Sequence, residues 1–180
     1  AGEHPIIVEA PSSKSQCKAC KYLGGNDPFI QAGTKRVGIP GHAHGGVTMY
    51  HWCHPVCFAQ HCLRVDVAPT GRAKCKADGT EIAKGATRFL VGYKKESTIY
   101  KVENAQRTIL PELITLAGRS KVTIHGLGEL SLDERARVER ALFDGNAGSG
   151  GGGSGGSSTS AKGKKRPAAS AAPAAAATKA

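Results

Sequence analysis

Aromatic residues make up only 5% of the 180-residue chain, which leaves little bulky side chain for one deep core over the whole length. Long apolar runs are missing too. No stretch approaches the roughly 18 apolar residues that a membrane span requires, and the opening Ala1-Gly2-Glu3-His4-Pro5 lacks the basic and apolar regions of a secretory signal. The expectation is a soluble protein with no membrane partner. Absent as well are a nucleotide-binding loop, a carboxylate pair and a metal site with an open position. No catalytic residue is therefore expected, and the chain reads as a non-enzyme. An enzyme acting through Cys53 or Cys62 is the reading these absences disfavour.

Acidic residues are scarce relative to basic ones, 14 against 25, for a formal balance of +11. Lys162, Lys164, Lys165, Arg166 and Lys179 supply five of those charges from a C-terminal tail without an acid, so a smaller positive excess stays with the rest. Composition changes abruptly after Phe143-Asp144-Gly145. Gly148 to Ser158 offers almost nothing to bury and reads as a flexible linker. Ala161 to Ala180 has no periodic apolar face, so residues 145–180 are expected to be disordered. Lys164-Lys165-Arg166 reads as a nuclear-import signal, a phosphate-binding arm or a solubilising tail.

Slid against itself, the chain repeats. Ala10-Pro11-Ser12 and Cys17-Lys18-Ala19-Cys20 line up with Ala68-Pro69-Thr70 and Cys75-Lys76-Ala77-Asp78. At a slightly shorter offset, His54-Pro55-Val56-Cys57-Phe58 lines up with Leu110-Pro111-Glu112-Leu113-Ile114. Two copies of a small module follow, one over residues 5–64 and one over 65–144. Ile6 to Val8, Lys35 to Ile39, Thr87 to Val91 and Lys121 to Ile124 read as short strands. Leu132 to Phe143 reads as a helix, with Ser131 and Glu134 as a capping box and Val138 and Leu142 on its apolar side.

Six cysteines without a secretory context point to metal ligands or free thiols in a reducing compartment. Cys17-x2-Cys20 and His54-x2-Cys57 supply three thiolates and an imidazole in two tight pairs, the spacing that completes a tetrahedron around one structural zinc ion. Cys53, His51, His61 and Cys62 lie near enough in sequence to substitute as ligands. Cys75 and Cys62 also read as small buried hydrophobes. His42 and His44, in a Gly-rich stretch, read as loop residues.

These residues resemble the zinc finger of poly(ADP-ribose) polymerases, zinc-finger DNA ligases and plant DNA 3′-phosphatases. The resemblance runs through Ile7-Val8-Glu9-Ala10, Ser12, the Cys17/Cys20 pair, Lys35-Arg36-Val37-Gly38-Ile39 and His51-Trp52-Cys53-His54-Pro55-Val56-Cys57-Phe58. The second copy is similar through Val65-Asp66-Val67-Ala68, Thr70 to Lys76, Ile82 to Arg88 and the closing stretch Gly126 to Asp133. It departs from the pattern at Asp78, Leu110 and Leu113, where the family has ligands, so only Cys75 of the four remains and this copy is expected to fold without metal. The first copy carries extra residues around Gly24 to Pro28. Its loop Pro40 to Gly46 lacks the family's large apolar residue, with Met49 the nearest candidate for that contact.

The resemblance implies small α+β zinc-binding modules in tandem, with short antiparallel strands and a C-terminal helix. It implies recognition of nicked or broken duplex DNA through the phosphate backbone, with Lys14 and Arg36 in the first copy and Arg72 and Arg88 in the second as phosphate contacts. Trp52 and Phe58 are expected as a small core around the metal. DNA repair in the nucleus, or in an organelle with its own DNA, is the implied setting, with any catalysis supplied by a protein partner. A zinc-stabilised protein-interaction module is the alternative.

Overall fold

Residues 4–23, 27–42, 48–93 and 96–144 are described by a computed structural model of the chain. The Gly/Ser linker and basic tail, His44 and most of the Pro40 to Gly46 loop lie outside these residues. Strand β1 (Ile6–Glu9) pairs with β2 (Lys35–His42), which pairs with β3 (Thr48–Cys53), all antiparallel. A second antiparallel sheet joins β4 (Leu63–Val67), β5 (Thr87–Val91) and β6 (Thr98–Lys101) in the same sequential order. Helix α1 (Lys18–Leu23) follows the first cysteine pair's entry, and α2 (Pro55–His61) leaves β3. A 3₁₀ segment (Val102–Arg107), α3 (Leu110–Ala117) and α4 (Leu132–Phe143) complete the described residues' regular structure, together with short single-turn pieces. No helix among them is long and apolar enough to cross a membrane.

Matching backbone hydrogen bonds mark the aligned positions of the two halves. Ala10 N–H donates to Thr34 and the Ala10 carbonyl accepts from Gly33, just as Ala68 does with Ala86 and Gly85. Cys17 N–H donates to Pro28 at 2.6 Å and Cys75 N–H to Thr80 at 2.8 Å. Proline sits in the first turn of both α2 and α3, where its missing N–H costs nothing.

Strand alternation sets which apolar side chains enter the core, although parts of both faces of β2 and β5 are covered. Val37 and Ile39 point inward from β2, Leu63 and Val65 from β4, and Phe89 and Val91 from β5, while Arg64 stays exposed. These side chains join Phe58, Leu110, Leu113, Val138 and Leu142 in one buried cluster that runs through both halves. Each such burial contributes about 1.5–3 kcal/mol, so this cluster compensates for the scarcity of aromatics. Only Cys62 separates α2 from β4. It is buried, its N–H donates to Phe58, and its carbonyl accepts from Gly92 N–H.

Helix α4 forms over the residues expected. Ser131 Oγ accepts from Glu134 N–H, but the Glu134 carboxylate pairs with Arg137 instead of returning to the cap, so half of the capping box forms. Gln106 Nε2 donates to the Ala141 and Leu142 carbonyls near the helix C-terminus. Lys121 to Ile124 is not a strand. Arg119–Lys121 makes a 3₁₀ turn after Gly118, which has φ 83°, and the chain then crosses α2, where Thr123 N–H donates to Ala59. The β-rich composition there serves the burial of Ile124, and ladder contact is limited to a bridge between His125 and Arg64.

Candidate metal centre

Four donors converge where α1 and α2 meet. Cys17 and Cys20 come from the entry and first turn of α1, His54 and Cys57 from the N-cap and first turn of α2. Their ligand atoms all lie within 4.8 Å of one another. Cys20 Sγ is 3.4 Å from Cys57 Sγ and 3.6 Å from His54 Nδ1, which is 3.7 Å from Cys57 Sγ. A tetrahedron with Zn–S arms of about 2.3 Å and Zn–N arms of about 2.0 Å has edges of about 3.5–3.8 Å, so the cluster has the dimensions of a zinc site.

The surroundings orient the donors. His54 Nε2–H donates to the Phe29 carbonyl at 3.2 Å, which fixes the ring and leaves the Nδ1 lone pair for an ion. Cys17 Sγ, fully buried, accepts from the backbone N–H groups of Cys20 and His54 at 3.5 and 3.4 Å. The surroundings of the thiols favour their protonated forms. Burial pushes Cys57 up to about 12, and a hydrogen bond from Cys53 with burial pushes Cys17 higher still. A soft divalent ion would displace those protons, and all four positions would be filled by protein, the arrangement of a structural site.

The neighbouring candidates stand apart from this cluster. Cys53 is buried behind Cys17, where its hydrogen bond to Cys17 lowers its pKa but Cys62 and burial outweigh it and raise it to about 12. His51 Nε2 lies 3.3 Å from Glu96, while His61 and Cys62 line a separate cavity. At the place in the second half that matches Cys17, Asn104 Nδ2 donates to both Cys75 Sγ at 3.3 Å and Asp78 Oδ2 at 2.7 Å. Lys101 N–H also donates to Cys75 Sγ, as His54 N–H does to Cys17. An amide thus bridges the two positions that align with a ligand pair, and Leu110 and Leu113 are fully buried. Asn104 has no counterpart in the repeat, so the alignment could not have found it.

The expected phosphate contacts separate into distinct environments. Lys14 and Arg72 are exposed in loops. Arg36 and Arg88 occupy matching positions on β2 and β5. Arg36 faces Val8, and its guanidinium stacks over Trp52 at 3.6 Å from the ring centroid while Nη1 donates to Ser15 Oγ. Burial lowers its pKa. Arg88 instead faces Asp66 and pairs with it. Phe58 lies in the core as expected, but Trp52 does not surround the metal: strand alternation turns it, with Tyr50, Arg36 and Gly38, to the other face of the sheet. Tyr50 stacks on it at 5.6 Å, and a Cβ on Gly38 would come within 2.8 Å of both rings. At the edge of that face a cavity of 260 Å³ is lined by Gln16, Lys18, Lys21, Tyr50, His51 and Trp52. Met49 is exposed nearby on β3.

Comparison with protein-family models and with curated proteins finds no match to this chain.

Proposed function

We propose that the chain is a zinc-stabilised, non-catalytic DNA-binding protein of the poly(ADP-ribose) polymerase finger type, with a metal-bound first copy and a metal-free second. It recognises strand breaks in duplex DNA through the phosphate backbone, in the nucleus or a DNA-containing organelle, and a protein partner supplies the chemistry of repair. The observation that carries this reading is the second face of the first sheet, where the buried Arg36 backs Trp52, Tyr50 stacks on Trp52, and the exposed Lys21 lies at the edge beside Lys18, which is paired with Glu96. Aromatic rings next to an exposed lysine suit a strand whose bases are unstacked at a break: the rings accept any base, and the Lys21 ammonium follows the phosphates. The zinc ion's role is to hold α1, which carries both lysines, against α2 and the end of β3.

The test is a fluorescence-anisotropy titration of a nicked DNA hairpin and the same hairpin sealed, at fixed salt. Tighter binding to the nick supports the reading. Equal binding reduces it to a general DNA clamp, and no binding to either refutes it. Binding of either form should weaken steeply with salt, because neutralised phosphates release counterions.

A further inference from the structure

A second cavity, of 260 Å³, opens at the seam between the two halves. Its walls come from four places in the chain: His61 at the end of α2, Arg64 on β4, Tyr93 and Ser97 between β5 and β6, and His125. The backbone builds this convergence. Val65 N–H donates to the His125 carbonyl and His125 N–H to the Leu63 carbonyl, which sets Arg64 and His125 side by side in a parallel bridge. The His125 ring is fixed by donating Nε2–H to the Gln60 carbonyl at 2.8 Å.

The chemistry of the walls is one-sided. A guanidinium, two imidazoles, a phenol and a hydroxyl face the cavity, and no carboxylate lines it among the described residues. Arg64 is half exposed, and its nearest acid, Asp66, lies 3.9 Å away and is already engaged by Arg88. The volume falls below the ~300–1,000 Å³ of pockets that enclose drug-sized molecules, so the cavity suits a compact group rather than a whole nucleotide. A planar guanidinium fork beside the His61 ring, which can offer an N–H donor, matches tetrahedral oxyanion geometry, while His125, its Nε2–H committed to Gln60, serves as a wall. The cavity also adjoins the basic, aromatic one on the first sheet. Lys18, which lines that cavity, sits over the Tyr93 ring at 5.7 Å and pairs with Glu96, the neighbour of Ser97.

We propose that this seam cavity is a phosphate-binding site, with Arg64 and His61 as the principal contacts and His125 as the fixed wall. Resting on the DNA reading above, it receives a phosphate of the strand that lies over Trp52 and Tyr50. The group is either the 5′-phosphate at a break or an internal phosphodiester. It is a site distinct from the metal centre and from the four basic residues aligned with the family's phosphate contacts.

The experiment compares the full-length zinc-loaded protein with the double variant His61→Gln/Arg64→Gln, both exposed positions, after equal thermal melts confirm folding. Anisotropy is measured on a nicked hairpin carrying a 5′-phosphate and on one with a 5′-hydroxyl. The expected result is a loss of about 10-fold or more in affinity. Loss on the phosphorylated nick alone assigns the 5′-phosphate, and equal loss on both assigns an internal phosphodiester. Unchanged affinity on both overturns the proposal while leaving the DNA reading intact. Should the wild type bind no DNA, the DNA reading falls, and titration with inorganic phosphate decides the site. Saturable shifts of the His61 and His125 ring signals in NMR, lost in the variant, uphold it; their absence overturns it.

Discussion

Arg88 and Asp66 face each other across the β4–β5 ladder, and the guanidinium donates to both carboxylate oxygens, from Nε at 2.6 Å and from Nη2 at 3.1 Å. At the matching place in the first sheet Arg36 faces Val8, which offers no acceptor. One arginine is thereby held by an acid and the other by an aromatic ring. The Asp66 hydrogen bonds raise the Arg88 pKa, so its charge is secure, but much of its field is answered at home.

Arg88→Gln should therefore lower stability by about 1.5–3 kcal/mol, the worth of hydrogen bonds to a charged group, in urea denaturation. Its effect on DNA affinity should be smaller than that of the exposed Lys21→Gln under the same salt. A variant that keeps full stability but loses DNA binding would show that Asp66 releases the guanidinium to the ligand.

Removal of the ion should unfold the first sheet. Structural zinc contributes about 10–16 kcal/mol in small finger peptides, comparable to the whole stability of an ordinary domain. One equivalent of zinc by mass spectrometry is expected for the wild type and none for Cys57→Ser, with loss of the β-sheet signal in circular dichroism. A Cys57→Ser protein that retains zinc and fold would exclude Cys57 as a ligand.

Acid sensitivity should have a source far from the metal. Hydrogen bonds from Arg137 hold Glu134 down to about 2, against an ordinary value of 4.5. A depressed carboxylate pKa gives stability that is full above the unfolded-state value and is lost as pH falls from 4.5 towards 2. Glu103 shares the same guanidinium. Replacing Glu134 with Gln should flatten part of the urea-midpoint profile between those pH values. An unaltered profile would place the sensitivity elsewhere.

In the second half, Leu113→Ala should cost about 2–5 kcal/mol, since it opens a void beside fully buried neighbours. Gly126→Ala should be at least as severe. Gly126 has φ 85°, and an added Cβ would lie 2.2 Å from the Val65 carbonyl oxygen, so the bridge that sets Arg64 beside His125 would have to move. A near-neutral Gly126→Ala in thermal melts would mean that the 124–127 segment relaxes freely.

Much of this was legible in the sequence because its signals are local. The two ligand pairs have a two-residue spacing that any chain can read, and the Ser131 cap with Val138 and Leu142 defines α4 within twelve residues. Strand β4 was not among the strands expected, although Leu63 and Val65 alternate with Arg64 and Asp66, because so short an alternation does not stand out without its partner β5. Other features depend on distant partners. Asn104 is an ordinary polar residue until Cys75 and Asp78 are folded around it. Trp52 adjoins a ligand pair in sequence, but strand alternation turns it to the opposite face. Val122 to Ile124 carries a strand's composition, yet the place it reaches lies over α2, and only His125 meets an edge.

Cys62 is a splice with no slack. One buried residue joins α2 to β4, and both of its backbone groups are committed, one to Phe58 and one to Gly92. The outer face of the first sheet and the seam beside Arg64 are therefore set at a constant spacing, like the jaws of a fixed gauge. On the proposed DNA reading, a strand that engages both must bring its own flexibility, and a nicked duplex, able to kink at the missing bond, can supply the bend that an intact one resists.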